Sequence, residues 1–351
     1  VALPLAYRGR VPAPRPARPA PLVDPFGRRL GDLRISVTDR CNLRCGYCMP
    51  AEGLDWLSRA DLLTFEEITR VARVCVERFG FSNIRLTGGE PTVRAHLPRL
   101  VYMLGELKPA SGAPLDLALT TNGTTLALVA EDLRAAGLGR VNISCDSLRR
   151  DRFEAITRRD ALGQVLEGIE GAVAAGLSPV KVNCVLERGV NDDEIVDFAA
   201  FGRERGVTVR FIEFMPLDAD RAWVADRVVP AHEVVSAIDT VFPLEAVGGH
   251  GSQPAQRFRY RDGAGEVGVI ASVTQSFCST CDRVRLTADG MFRNCLFAVD
   301  ETDLRAVLRS GGDDDHLAAA IAADVGRKWA GHSIGQVHFR RPDRSMSQIG
   351  G

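Results

Sequence analysis

From residue 33 onward the sequence alternates short β-branched runs with longer stretches of helical period, and this alternation restricts the fold more than any single motif does. The strands it predicts lie at 33–38, 83–87, 116–121, 140–145, 180–186 and 208–214. The stretches between them read as helices. The first opens on a capping box, with Thr64 as N-cap and Glu67 three residues on, and carries Ile68, Val71, Ala72, Val74 and Cys75 on one face. Others stop at a glycine, as at Gly137, Gly176 and Gly206. Six strand–helix units in succession require parallel strands with right-handed crossovers, which leaves a barrel or an open doubly wound sheet. After about residue 216 the rhythm changes to a helix near 231–240, antiparallel-looking pieces at 256–274 and two further helices. A chain of 351 residues, 45% of them apolar, is long enough for one large α/β domain plus a smaller appended unit.

Charge is nearly balanced, with 44 Lys+Arg against 45 Asp+Glu, so no global field draws the chain to nucleic acid or an anionic membrane. Any anion site must be local. The sequence has neither an apolar run long enough to span a bilayer nor the apolar stretch of a secretory signal, and the expectation is a soluble, cytoplasmic protein. Residues 1–23 hold six prolines, four arginines and no acid, a composition that cannot fold alone and reads as a disordered tail. Nine cysteines is an odd number, and six of them fall in two tight groups, which favours metal binding in a reducing compartment over disulfides. The other three, Cys75, Cys145 and Cys184, lie in apolar runs and read as buried, inert thiols.

The first group, Cys41, Cys45 and Cys48, directly follows the first strand. Steps of four and three would align three cysteines on a helix, but Asn42, Gly46 and Pro50 favour a loop that can wrap its thiolates around a metal group. A [4Fe–4S] cluster normally takes four cysteines, so three leave one iron open to an outside ligand. The competing reading is a zinc site with a distant fourth ligand. The Cys-x-x-x-Cys-x-x-Cys spacing, with Tyr47 just before the third cysteine, resembles the radical S-adenosylmethionine superfamily. That resemblance implies a cluster whose open iron chelates the amino and carboxylate groups of S-adenosylmethionine, and an electron transfer that releases a 5′-deoxyadenosyl radical. Gly88-Gly89-Glu90-Pro91, Thr120-Thr121-Asn122-Gly123 and Ser144-Cys145-Asp146-Ser147 end the second, third and fourth strands. In parallel α/β barrels the active site gathers at such ends. Gly-Gly-Glu here resembles the superfamily's site for the methionine ammonium, where glycine permits close approach of the backbone.

The second group, Cys278, Cys281 and Cys295, is again three. Spacing alone leaves zinc open, with His316, His332 and His338 as donors for a fourth position. Taken together, the two cysteine groups, Arg283-Val284-Arg285 after Cys281 and the terminal Gly350-Gly351 resemble the GTP 3′,8-cyclase family of molybdenum cofactor biosynthesis, from about Leu30 to the end. The resemblance implies an incomplete (β/α)6 TIM-type barrel with a smaller C-terminal α+β unit covering its open side. The divisions are a tail over 1–31, a barrel over 32–216 and a C-terminal unit over 217–351. It also implies two [4Fe–4S] clusters, the second binding the guanine of GTP, and conversion of GTP to (8S)-3′,8-cyclo-7,8-dihydroguanosine 5′-triphosphate. Partners would be an electron donor of flavodoxin or ferredoxin type and, downstream, cyclic pyranopterin monophosphate synthase. A homodimer is left open.

A triphosphate carries about four negative charges, and at an effective dielectric near 20 each cation about 4 Å away gains on the order of 4 kcal/mol before desolvation. The resemblance implies Arg34, Arg85, Thr120, Lys181, Arg283 and Arg285 as GTP contacts, with Arg210 weaker, and Arg283 and Arg285 counted with the cluster cysteines as catalytic. For S-adenosylmethionine it implies Tyr47, Gly89, Ser144 and Met215. Taken singly, Arg34 or Arg85 reads equally as a salt-bridged strand residue. Lys181 is harder to dismiss because it interrupts an apolar run. Asn83 stands where some relatives carry Lys. The segment 340–351 shows no helical or strand pattern, and the resemblance implies that Gly350 and Gly351 reach into the active site near Arg283 and Arg285. Two rivals remain: a radical enzyme that modifies peptides, and a zinc-stabilised binding protein.

Overall fold

The computed structural model describes residues 20–350 except 110, 219–222, 250 and 338. The six predicted strands form, at Asp32–Ser36 (β1), Asn83–Thr87 (β2), Asp116–Thr121 (β3), Arg140–Ser144 (β4), Val180–Leu186 (β5) and Thr208–Glu213 (β6). Helices cross between them: α1 (Phe65–Arg73), α2 (Leu97–Gly105), α3 (Ala130–Ala135), α4 (Arg150–Thr157), α5 (Leu162–Ala174) and α6 (Ile195–Arg205). The capping box at Thr64 and Glu67 is present, and Ile68, Val71, Ala72, Val74 and Cys75 are all buried. Cys145 and Cys184 are buried as well. Burying each large aliphatic side chain of these helix faces contributes about 1.5–3 kcal/mol, and this outer layer between helices and sheet is the core of the protein.

β1 to β6 pair in parallel and in chain order within one twelve-stranded sheet. The later part of the chain, expected to be a separate unit over the open side, instead also extends this sheet at both edges. It contributes α7 (Ala231–Val241), β7 (Leu244–Val247), β8 (Gln256–Tyr260), β9 (Glu266–Ile270), β10 (Arg283–Leu286), β11 (Met291–Arg293), β12 (Thr302–Asp303), α8 (Leu304–Arg309) and α9 (Asp314–Val325). β9 lies parallel to β6, with β8 and β7 antiparallel beyond it. β10 lies parallel to β1, with β11 and β12 antiparallel beyond it. The strand order runs from β12 to β7 without meeting, so the barrel is incomplete, as expected. No described helix is long and apolar enough to cross a membrane.

Two expectations are corrected. The tail does not extend to residue 31: Leu22 and Leu30 are buried, and a bridge joins Val23 to Arg29. Its first 19 residues lie outside the described ones. The segment 340–351 does contain a helix, α10 (Met346–Ile349), set by a capping box between Ser345 and Gln348 that the sequence reading overlooked.

Glu213, at the end of β6, fastens the two parts of the chain together. Its buried carboxylate accepts hydrogen bonds from Val273 N at 2.7 Å, Thr274 N at 2.8 Å, Thr274 Oγ1 at 2.5 Å and Ala231 N at 3.3 Å. Removing it strands these donors away from water, so Glu213→Ala is expected to cost about 2–4 kcal/mol. A shift in the guanidinium denaturation midpoint checks this, with Glu213→Gln expected to fall between the variant and the parent.

Candidate functional site

Alternation along the parallel strands turns one side of each toward the barrel axis, and on these strands that side is mostly polar. β1 presents Asp32, Arg34 and Ser36 inward; β2 presents Asn83, Arg85 and Thr87; β4 presents Arg140, Asn142 and Ser144; β5 presents Lys181, Asn183 and Val185. One cavity is lined by Arg34, Arg85, Arg210, Arg283 and Arg285 together with all six grouped cysteines. Tyr47, Gly89, Thr120, Ser144 and Met215 line it too. Lys181 is the one candidate not among the lining residues: it shares the inward face of β5 but sits below Asn183, toward the start of the strand. Asn83 lies at the corresponding depth on β2 and donates to Ser82 Oγ at 3.0 Å.

Among the described residues, Arg34, Arg85, Arg210 and Arg285 form no ion pair with a carboxylate, whereas Arg283 lies 3.9 Å from Asp282 Oδ1. Arg210 donates to Asn183 Oδ1 at 2.7 and 2.9 Å and to Asn142 Oδ1 at 2.7 Å. Arg285 donates to the carbonyl of Gly350. Nε of Arg34 and Nε of Arg85 are buried without a hydrogen-bond partner. Burial pushes all four below the ordinary arginine range and neighbouring guanidiniums push the same way, so that Arg210 falls to about 9, while Asp32 opposes the shift at Arg34 and Arg85. Burial likewise brings Lys181 down to about 8, reinforced by Arg210, Arg140 and Arg85. Positive charge held this way favours an anion. Arg283 is more committed, donating to the Ser252 carbonyl and stacking 4.9 Å over the Phe277 ring.

The first cysteine loop runs as irregular chain, as Asn42, Gly46 and Pro50 suggested. Its sulfurs receive donors: Leu43 N reaches Cys41 Sγ at 3.4 Å and Asn122 Nδ2 reaches it at 3.8 Å, while Ser347 of α10 bonds to Cys48. Burial nevertheless pushes the Cys41 and Cys45 thiols up and Cys48 up to about 12, a cost that metal ligation removes. Tyr47 donates to Asp146 Oδ2 at 2.7 Å, tying the loop to the end of β4; burial holds Asp146 up at about 6.

Gly89, which lines the cavity, also packs against the cysteine loop. A Cβ there would overlap the carbonyl oxygens of Asp39 and Arg40, so the close approach it permits is to the cysteine loop itself. Gly89 N donates to Thr38 O and Glu90 N to Arg40 O, both at 2.8 Å. Glu90, fully buried, then accepts from Thr121 Oγ1 at 2.6 Å and Asn122 N at 2.5 Å, locking β2 to β3 beneath the loop.

At the second group, burial raises the Cys278 thiol, but hydrogen bonds from His332 outweigh this and bring it down to about 7. His332 also lies 5.2 Å from the Phe297 ring and lines the cavity. His316 is exposed and bonded to Asp313, away from the cysteines, and His338 lies outside the described residues. No three His, Cys, Asp or Glu side chains among the described residues group tightly enough for a single metal ion. A polynuclear cluster takes thiolates spread more widely around it than a single ion does. Each triplet faces a shared cavity with room beyond its sulfurs, and the donor sets fit [4Fe–4S] clusters with one open iron. Gly350 sits against Ser36 and Thr87, with φ of 82° and no space for a Cβ. Gly350 therefore sits beside Arg285, while Gly351 lies outside the described residues. Asn142, Asn183, Glu90 and Ser347 were missed by the sequence reading; polar residues at alternate positions of two-sided buried strands were the available signal for the two asparagines.

A family model described as Radical SAM superfamily matches residues 35–202, and one described as Molybdenum Cofactor Synthesis C matches residues 207–334. The chain is 50% identical over 332 residues to the GTP 3′,8-cyclase of Mycobacterium sp. (strain KMS), covering 94% of each. It is 49% identical over 332 residues to the GTP 3′,8-cyclase of Streptomyces coelicolor, covering 94% of this chain and 96% of that one. Among solved structures, Streptococcus suis SuiB bound to S-adenosylmethionine aligns with a TM-score of 0.57 at 13% identity, over 84% of this chain and 69% of that one. Native anSMEcpe with bound AdoMet aligns with a TM-score of 0.55 at 16% identity, over 81% of each chain. At these identities the two structures speak for the fold.

Because the Gly89 contact is with backbone, it cannot relax by a rotamer change. Gly89→Ala is expected to displace the Cys41 loop at a cost of about 1–3 kcal/mol. In metal-free protein the alkylation rate of Cys41 should rise, while that of Cys278 stays at the parent value.

Proposed function

The chain belongs to the GTP 3′,8-cyclase family of the radical S-adenosylmethionine superfamily, and on that premise we propose that its barrel cavity is where GTP meets S-adenosylmethionine between two iron–sulfur clusters. The reaction is conversion of GTP to (8S)-3′,8-cyclo-7,8-dihydroguanosine 5′-triphosphate, the first step of molybdenum cofactor biosynthesis, by a lyase. The cofactors are S-adenosylmethionine and two [4Fe–4S] clusters. The observation that carries the substrate assignment is the set of inward arginines, Arg34, Arg85, Arg210 and Arg285, which among the described residues bond only to neutral oxygens or, at Nε of Arg34 and Arg85, to nothing.

In this reading Cys41, Cys45 and Cys48 hold the first cluster, and Cys278, Cys281 and Cys295 hold the second. When bound, the first cluster and S-adenosylmethionine supply the one-electron chemistry that begins the reaction. The residues then bind and orient. Tyr47, Gly89, Ser144 and Met215 form the cofactor side of the cavity, with Gly89 acting by seating the cysteine loop. Arg34, Arg85, Thr120 and Lys181 take the triphosphate, with Arg283 and Arg285 beside the second cluster. Gly350, whose carbonyl holds Arg285, fixes the guanidinium's aim without a side chain to fill the cavity. The barrel over 32–216 thus serves the cofactor and phosphates, and the unit over 217–351 serves the base and the chain end. A one-electron donor of flavodoxin or ferredoxin type, cyclic pyranopterin monophosphate synthase as consumer of the product and a homodimeric state complete the proposal, supported by the pathway context alone.

Anaerobic reconstitution with iron and sulfide, then turnover with GTP, S-adenosylmethionine and a reductant, tests the assignment. Parent enzyme should carry about eight irons, four per cluster, and yield 5′-deoxyadenosine plus a nucleotide that gives a fluorescent pterin on oxidation. Cys41→Ala should lose both products. Cys281→Ala should keep cofactor cleavage and lose the cyclised nucleotide; normal nucleotide yield from it would sink the substrate role of the second site.

The depressed Lys181 gives a separate check. An amine whose folded value lies at about 8 is about half neutral at pH 8, and a polyanion placed against it restores the charge. GTP binding at pH 8 should therefore take up on the order of half a proton, read by calorimetry in buffers of different ionisation enthalpy. Lys181→Met should remove that uptake; an unchanged value would place Lys181 away from the phosphates.

A further inference from the structure

We propose that the turn from Asp24 to Arg28 is a positioning element for the second cysteine site, holding the main chain around Cys278 in the shape its cluster requires. This rests on the reading of that site as a cluster site. The turn is tightly made. Asp24 Oδ1 accepts from Phe26 N at 2.9 Å and Arg28 N at 3.0 Å, and Leu30 N donates to Leu22 O at 2.9 Å behind it. Asp24 Oδ2 takes Arg28 Nε at 2.5 Å, with both side chains almost fully buried. That contact fixes the plane of the guanidinium and leaves its far edge free to donate.

The far edge is spent on the second site. Arg28 Nη1 donates to Cys278 O at 2.6 Å and to Ala330 O at 2.8 Å, and Nη2 donates to Trp329 O at 2.5 Å. One side chain therefore joins the cysteine turn to the segment that follows α9. That segment continues to His332, which hydrogen-bonds the Cys278 thiol. A few residues on from the turn, Gly31 N and Asp32 N donate to Asp282 O at 3.0 and 3.2 Å, next to Cys281. The N-terminal hairpin thus grips the backbone at Cys278 and beside Cys281, although it lies some 250 residues away in sequence. Arg28 bonds to this site through main-chain carbonyls, so its effect on the reaction passes through the cysteines. A lysine could supply the charge but not the planar fork that spans three carbonyls and a carboxylate.

The test is anaerobic reconstitution of full-length Arg28→Lys, Arg28→Ala and Asp24→Asn, with iron analysis and electron paramagnetic resonance beside turnover. The Arg28 variants should fall from about eight irons to about four. They should keep the resonance that responds to S-adenosylmethionine and keep 5′-deoxyadenosine formation, and lose at least tenfold in GTP cyclisation. Asp24→Asn, which leaves the three carbonyl contacts, should give an intermediate iron content. Full iron with both resonances intact in Arg28→Ala would overturn the proposal. So would parallel loss of both clusters, which would mark the hairpin as a general stabiliser. If four irons are lost while calorimetric affinity for GTP is unchanged, the positioning role stands and the assignment of the second site to substrate falls.

Discussion

A barrel interior that carries Arg34, Arg85, Arg210 and Arg285 with no carboxylate ion-paired to them among the described residues, and Asp32 offsetting Arg34 and Arg85 from nearby, is a standing electrostatic cost, and much of the structure answers to it. Ordinary (β/α) barrels fill their centre with branched aliphatic layers. This one cannot draw cohesion from its centre, so cohesion comes from the layer between sheet and helices, where the apolar faces are continuous. Inside, the charges are steadied by amide oxygens of Asn142 and Asn183, which orient a guanidinium without neutralising it. A carboxylate would stabilise the protein more and leave nothing for an anion. The cavity therefore trades folding stability for readiness toward a polyanionic ligand.

Apart from Asp32, negative groups such as Glu90 and Glu213 are placed at the rim and used largely on backbone. Glu90 locks the end of β2 to β3, and Glu213 locks the end of β6 to the chain after β9. Both accept mainly from N–H and hydroxyl groups of loops that bear or flank the cysteines. The rim acids thus determine where the two thiol triplets stand, while the interior cations determine what lies between them. Asp24 follows the same logic at the N-terminal hairpin, where its partner is an arginine that reaches the second triplet's backbone.

Much of this was legible in the residues. The six parallel strands emerged almost to the residue because period-two runs bounded by glycine-capped helices leave few alternatives, and the cysteine triplets were conspicuous by spacing. What stayed hidden is non-local. Nothing near β9 or β10 says that they will pair with β6 and β1, since a strand's sequence specifies a face and not a neighbour. Lys181 reads as a site residue by type, yet its depth along the barrel axis depends on strand stagger. Arg28 sits in a segment whose prolines and arginines suggest a loose tail, and only the distant carbonyls of Trp329 and Ala330 give it a purpose. α10 was overlooked because four residues are too few for periodicity, although its capping box was in plain view.

The pairing of β1 with β10 also has a bearing on biosynthesis. Asp32 pairs early with Asn83 on one side but on the other only with Arg283, so on the ribosome that edge of the first strand waits for most of the chain to appear. At about 5–20 residues per second that interval is on the order of ten seconds to a minute. Throughout it, a strand with open N–H and C=O groups is a template for other nascent chains. Recovery of intact protein from a cell is then governed by elongation rate and chaperone supply during that window, and stabilising the finished molecule would do little to improve it.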